Sequence, residues 1–371
     1  MKLYPSALCF LMFSIFFLCL SSCKQPQEPI KIGLAINLSG RGGEAGEHIR
    51  DGALLAIENV NNSGGISGAP LELLIRDDTN TEAGVRKADE SLIAEGVVAI
   101  IGHSQSSNTI TSYPFVTSHN TLLITAYTAA TKLSGKDDLF IRTSVDCELY
   151  GEKTAALLKR KNAHSVAFFM DMTNSAFVLD YADRVKQHFS GSVTEVKFNS
   201  RAQADWTQII KDLLAPQPDA IVLLTEASMT GVALQKLNAA GYAGDCVGTV
   251  WTHTPSLMRH AGKSAESLSI ITFVNPENSS PGYISFSREI EEKFHKKATA
   301  RSTRAYEMVM ILASALKRSE STGSEDLKKS LLSGQYDTLM GHVEFDRYGD
   351  VVRPVYEVVV RGKKFCNNGE I

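Results

Sequence analysis

"VVAIIGHSQSSNTITSYPFVTSHNTLLITAY", Val97 to Tyr127, decides the fold. An apolar run closes on Gly102, a stretch rich in Ser, Asn and Thr follows, and a second apolar run begins at Leu122. Two short apolar runs flanking a helix-length segment read as strand, helix, strand. Strands that are apolar throughout, with no alternation, belong to a parallel sheet covered on both faces. The unit repeats outward from here. Upstream, the strand "IKIGLAINL" leads through a Gly-rich loop to the helix "EHIRDGALLAIENVNNSGG", where Ile49, Ala53, Ala56, Ile57 and Val60 share one face. "APLELLIRDD" and "TEAGVRKADESLIAEG" add a strand and a helix. Downstream the pattern restarts with "VAFFMD", "SVTEVKFNS" and "DAIVLLTE" as strands and helices between them. The fold class is therefore α/β, with two Rossmann-like lobes on central parallel sheets. The tail "GHVEFDRYGDVVRPVYEVVVRGKKF" alternates like an antiparallel hairpin turning at "DRYGD".

A chain of 371 residues suits two lobes, and 43% apolar with 21% charged residues is the composition of a folded soluble protein. The net charge of −3 gives no reason to expect nucleic acid as a partner. Lys2 is the only charge before residue 24, and Leu8–Leu20 is an apolar stretch too short to span a bilayer comfortably. It reads as the core of a signal peptide. The tetrapeptide Leu20-Ser21-Ser22-Cys23 resembles the bacterial lipobox, in which the peptide is cut before a Cys that is then lipid-modified. That resemblance implies a signal peptide over 1–22, a lipidated Cys23 that holds the chain to a membrane outside the cytoplasm, and a polar tether over 23–29. Cys147, Cys246 and Cys366 form no CxxC; one disulfide with a leftover thiol is open to them, and the preferred reading is three free, small apolar residues. The nine His form no HxxxH or HExxH pair, so no metal site is expected.

Ligands of open parallel sheets bind beyond the carboxyl ends of the strands. The residues there are small polar groups, one aromatic and a few carboxylates: Asp77 and Asp78, then Ser104, Ser106 and Ser107, then Tyr127 and Thr128, then Asp171, Asn174 and Glu226. The first turn of a helix carries unpaired N–H groups and partial positive charge, which suits a carboxylate. Ser106 and Ser107 could serve that site, or could simply cap their own helix. "GRGGEA", Gly40–Ala45, formally fits a dinucleotide-binding loop. The acidic pair lies more than 30 residues beyond it, against about 20 expected, which leaves a nucleotide-dependent enzyme as a remote alternative. Arg301 and Arg304 could reach a ligand or simply be exposed, and exposure is the preferred reading.

Several stretches resemble the leucine/isoleucine/valine-binding family of periplasmic solute receptors. They are "IKIGLAINLSG", "GALLAIENVNNSGGISGAPLELLIRDD", "EGVVAIIGHSQSSNT", "LLITAYTAATKLS" and "MGHVEFDRYGD", in the family's order and spacing from Ile30 to about Phe365. The resemblance implies the type I binding-protein fold: two lobes joined by a three-crossover hinge that close over a ligand. It places 29–144 and 272–338 in lobe one, and 145–271 and 339–371 in lobe two. Ser106 matches the family's ligand-gripping serine, and Tyr127 stands where a backbone carbonyl takes an ammonium group, with Thr128 beside it. The chain also departs from the family. The acid that would meet the ammonium group aligns with Val250 or Trp251, and two aromatic positions are Ala45 and Ser175. A third is Glu226, expected to meet a cationic or amide-bearing part of the ligand, or else to pair with a rim Lys or Arg. The expectation is a lipid-anchored receptor of an ABC importer for a small polar metabolite, monomeric, without cofactor or catalysis, with Ser106, Ser107, Tyr127, Thr128, Asp171, Asn174, Glu226 and Trp251 at the ligand. A sensing subunit for a signalling kinase is the alternative on the same fold.

Overall fold

The computed structural model describes residues 27–371, so the expected signal peptide and Cys23 lie outside the described residues. Lobe one opens with β1 (Ile30–Ile36), α1 (Gly43–Asn62), β2 (Leu71–Asp77), α2 (Glu82–Ala94), β3 (Ala99–Gly102), α3 (Ser106–Ser118), β4 (Leu122–Thr125) and β5 (Phe140–Arg142). Lobe two follows with α4 (Cys147–Arg160), β6 (Ser165–Asp171), α5 (Ser175–His188), β7 (Ser192–Phe198), α6 (Trp206–Leu214), β8 (Ala220–Leu224), α7 (Ala227–Ala239), β9 (Asp245–Thr249), α8 (Ser256–Ala261) and β10 (Ser269–Thr272). The chain returns to lobe one as α9 (Pro281–Phe294), α10 (Ala300–Arg318), α11 (Ser324–Leu332), β11 (Gln335–Thr338) and β12 (Gly341–Glu344). It ends in lobe two with β13 (Tyr356–Arg361) and β14 (Lys364–Glu370).

The lobe-one sheet has the order β2-β1-β3-β4-β5, all parallel. The lobe-two sheet runs β14-β13-β10-β9-β8-β6-β7, with β6 to β10 parallel and β13 antiparallel to β10. β3, β4 and β8 are buried along their whole length, as strands covered by helices on both faces must be. The strand order reverses between β1 and β3 in one lobe and between β6 and β8 in the other. At such a reversal the flanking loops diverge and leave a crevice. Both crevices open toward the same interlobe space.

Two glycines make this geometry possible. Gly42 precedes α1 at φ +88°, where a side chain would be strained. Gly52 lets α1 lie directly on α10, since a Cβ there would stand 2.1 Å from the Ser302 carbonyl oxygen. That contact fixes the first turn of α10, which carries Arg301, at the floor of the crevice.

Two expectations for the tail need correction. The hairpin expected around "DRYGD" is a single antiparallel bridge, Phe345 to Val351. Asp346 closes the turn by accepting from the N–H groups of Tyr348 at 2.8 Å and Asp350 at 2.9 Å, so the segment is a tight loop and not a ladder. The true hairpins are β11–β12 and, turning at Gly362-Lys363, β13–β14. Val343, Phe345 and Val351 pack into the lobe-one core with Ile32, Ile49 and Leu312. The third crossing therefore comes after Val351, not near residue 339, and Val355 is the first residue of that passage in the lobe-two core.

Arg353 ties the three crossings together. Its Nη1 donates to Glu307 Oε1 at 2.5 Å and to the Thr143 carbonyl at 3.3 Å, and its Nη2 donates to Glu307 Oε2 at 3.1 Å. Its guanidinium lies 5.2 Å from the centroid of Phe273, on the second crossing. Both charges of the pair are buried, so each depends on the other.

Candidate functional site

The two lobes enclose a cavity of about 860 Å³. Lobe one contributes Asn37, Ser39 and Arg41 after β1, Thr79 and Asn80 after β2, Ser104 and Gln105 after β3, and Arg301 from α10. Lobe two contributes Asp171 and Thr173 after β6, Ser200 and Arg201 after β7, Glu226 and Ser228 after β8, and Trp251 after β9. A recess of about 20 Å³ adjoins it, sharing Ser104, Trp251 and Arg301 and walled by Tyr127, Asn174, Phe177, Val250 and Arg304.

The lobes touch each other around this space. The Ser107 N–H donates to Asn174 Oδ1 at 3.1 Å, and the Ala176 N–H donates to Ser107 Oγ at 3.1 Å. The Thr131 N–H donates to Asp180 at 2.6 Å, and Arg41 donates to the Ser200 carbonyl at 2.5 Å. Arg201 reaches the Asn80 carbonyl, and Arg259 pairs with Glu44 at the rim. This is the closed arrangement of a hinged receptor.

The predicted site residues separate into three groups. Asp171, Glu226 and Trp251 line the cavity, and Tyr127 and Asn174 line the recess. Ser107 lies at the lobe interface, with its backbone N–H and hydroxyl both engaged across it. Ser106 and Thr128 line neither space. Ser106 is 1% exposed, and its hydroxyl accepts from the Ala129 N–H at 3.2 Å. It does not cap α3 either, because the cap position is Gln105. Thr128 is buried with its hydroxyl 2.6 Å from that of Thr109. Both residues brace β3 and α3 against the segment after β4.

Glu226 lines the cavity but, among the described residues, does not pair with a rim Lys or Arg. It is the N-cap of α7: its carboxylate accepts from the N–H groups of Ser228 and Met229, each at 2.9 Å, and from the Ser228 hydroxyl. The helix terminus itself supplies the positive partner, and an acid there is favourable.

Arg301 and Arg304 are buried, which reverses the expectation of exposure. They fall on the apolar stripe of α10 with Ala305, Met308 and Leu312, and that mismatch of charge with period was the available sequence signal. Arg304 donates to the Ala126 carbonyl, with its guanidinium 4.6 Å from the Tyr127 centroid and 4.9 Å from that of Phe273. Arg301 lies 6.0 Å from the Tyr127 centroid, and its Nε has no hydrogen-bond partner among the described residues. Burial first, then the charge of Arg304, pulls Arg301 down to about 10, so it stays protonated at neutral pH. Asn37 Oδ1, Gln105 Oε1 and Asp171 Oδ2 are likewise buried without a partner. Asp171 Oδ1 accepts from Thr173 at 3.1 Å and Ser200 at 3.2 Å, which aims the residue at the cavity.

Behind β3, His103 Nδ1 stands 2.7 Å from Asp78 Oδ2 and Nε2 stands 3.2 Å from Asp89 Oδ1, all buried. Burial opposes the imidazolium, but the two carboxylates outweigh it and raise His103 to about 9. This cluster holds the strand end that presents Ser104 and Gln105. Among the described residues no group of three His, Cys, Asp or Glu could hold a metal ion.

Two α/β lobes that close on a polar chamber, at the strand ends of both sheets, define a hinged solute receptor. The chain belongs to the periplasmic binding protein family, whose family model matches residues 29–364. It is 22% identical over 347 residues to a leucine-, isoleucine-, valine-, threonine- and alanine-binding protein of Pseudomonas aeruginosa, covering 89% of each chain. The structure resembles an isoleucine complex of a branched-chain amino acid transporter substrate-binding protein from Streptococcus pneumoniae. The TM-score is 0.84 at 19% identity, covering 92% of this chain and 98% of that one. A leucine-binding protein from Thermotoga maritima gives a TM-score of 0.83 at 20% identity, with the same coverage. The fold is thus the type I binding-protein fold.

Proposed function

We propose that the chain is the substrate-binding protein of an ABC importer, anchored through a lipid on Cys23 outside the cytoplasm, and that it binds one small polar metabolite between its lobes. The amino-acid relatives support an amino acid, an amide or a related compound. The observation that carries the reading is the closed interlobe cavity, in which Asn37, Gln105, Asp171 and Arg301 each hold a buried polar atom without a protein partner. Leaving such groups unpaired costs about 1–3 kcal/mol each, a cost a ligand's own polar groups offset. Asp171, Asn174, Tyr127, Trp251 and Glu226 form the proposed contact set, with Glu226 accepting through an oxygen already held by its helix. Ser106 and Thr128 leave that set, and Ser107 acts as a closure contact.

The test is a thermal-shift screen of the chain from Lys24 onward against amino acids, amides, polyamines and small carboxylates. A ligand at 100 times its dissociation constant adds about 2.7 kcal/mol of stability. A selective shift supports the reading. No shift from folded protein that native mass spectrometry shows to be free of copurified ligand refutes it. For the anchor, Cys23→Ser should move the protein from the membrane fraction to the soluble one, and retention in the membrane would refute lipidation at Cys23.

A further inference from the structure

We infer that Arg301 is the anion anchor of the cleft, and that the ligand carries a carboxylate which docks on its guanidinium and not at the N-terminus of α3. This deepens the reading just proposed and rests on it.

The argument starts with the cost of the residue. Arg301 is 7% exposed, lines both the cavity and the recess, and has no partner for Nε among the described residues. Its nearest charged neighbours act through space: Arg304 repels it and Glu226 attracts it without a hydrogen bond. Holding a largely buried guanidinium with an unpartnered Nε beside a like charge is unfavourable. The close α1–α10 contact at Gly52 and Ser302 holds the residue in place, so it cannot retreat to water. An arrangement of this kind persists when it serves a binding partner of opposite charge.

At the competing site, the start of α3, both serines are engaged by the protein. Ser106 is committed to Ala129, and Ser107 is committed to Asn174 and Ala176. Ser104 is the one residue of that loop that lines both spaces together with Arg301. The Nε of Arg304 is also without a partner among the described residues, but the Ala126 carbonyl and two aromatic faces fix that residue, and it lines the recess without reaching the main cavity. It supplies a second positive charge behind the first. Tyr127, Phe177 and Trp251 wall the recess, and a low-dielectric wall strengthens any ion pair formed against it. The planar fork of Arg301 matches a carboxylate bidentately.

The test uses the chain from Lys24 onward and matched pairs of probes: alanine with alaninamide, succinate with succinamide, benzoate with benzamide. Affinities are read by titration calorimetry and stability by melting temperature. At least one acid should bind, with its carboxamide partner weaker by about 100-fold or more. Arg301→Gln should lose about 100-fold for that acid, while the ligand-free melting temperature holds or rises because an unpaired buried charge is gone. If the Gln variant fails to fold, Arg301→Lys decides: it should keep the acid preference but bind about tenfold more weakly or worse. Equal affinity for acid and carboxamide overturns the inference. So does acid binding within about threefold of wild type in Arg301→Gln or, where that variant does not fold, in Arg301→Lys. Binding of neutral probes alone overturns it and leaves the receptor reading intact, whereas silence from every probe with ligand-free, folded protein removes both.

Discussion

Raising the pH should unlock the cluster behind β3, because His103 is held as an imidazolium between Asp78 and Asp89. Its unfolded value is about 6.5 and its folded value is about 9. The folded value is the higher one, so the contribution is complete below about pH 6.5 and is lost as pH rises through 9. That gap corresponds to about 3 kcal/mol at full extent. Most of this remains at pH 7, and nearly all of it is gone at pH 10. Other groups titrate over the same range, so the comparison is between wild type and His103→Gln. Urea unfolding at pH 7, 8, 9 and 10 gives the stability of each. The gap between the two proteins should shrink by about 2–3 kcal/mol from pH 7 to pH 10. A gap that stays constant across this range would mean that His103 is not charged in the folded protein, and the argument would fail. A gap that widened would reverse its sign.

Three further outcomes follow from the contacts described. Glu307→Ala leaves Arg353 buried without its partner and should cost about 3–5 kcal/mol in chemical denaturation; a loss below about 1 kcal/mol would show that the crossings do not depend on the pair. Ser107→Ala and Asn174→Ala each remove an interlobe hydrogen bond and should weaken ligand binding by about 0.5–1.5 kcal/mol, with small-angle scattering showing a more open ligand-free form; unchanged affinity and shape would remove the clasp from the closure. Gly52→Ala forces a methyl group against the Ser302 carbonyl and should destabilise the protein by about 1–3 kcal/mol while weakening ligand binding through the displaced Arg301; a loss of stability with affinity intact would separate the helix contact from the site.

Periodicity made the fold legible. The apolar runs at Ala99–Gly102, Leu122–Thr125 and Ala220–Leu224 are strands buried along their length, and no other element type accommodates so short a run with polar segments of helix length between. The two lobes followed from the restart of that pattern, and Asp171 and Glu226, singled out as strand-end residues, line the interlobe cavity together with Trp251, which the family resemblance had pointed to. The tail was misread at "DRYGD" because alternation marks strands but not their partners. Phe345 and Val351 are apolar because they face the lobe-one core, not because they pair in a ladder.

What the amino-acid sequence determined by itself was the class of the elements and the surface of each sheet that holds the site. Those depend on burial, which is written locally in the spacing of apolar side chains. Only the tertiary structure decided which polar groups are already engaged by the protein. Ser106 meets an N–H 23 residues away, Ser107 an amide 67 residues away, and Glu226 the start of its own helix. A hydroxyl or carboxylate has many acceptable partners of similar energy, and only the assembled neighbourhood selects one. Arg301 shows the same point in reverse. Its charge is plain in the chain, but its burial at the cleft floor follows from how closely α1 approaches α10 at Gly52.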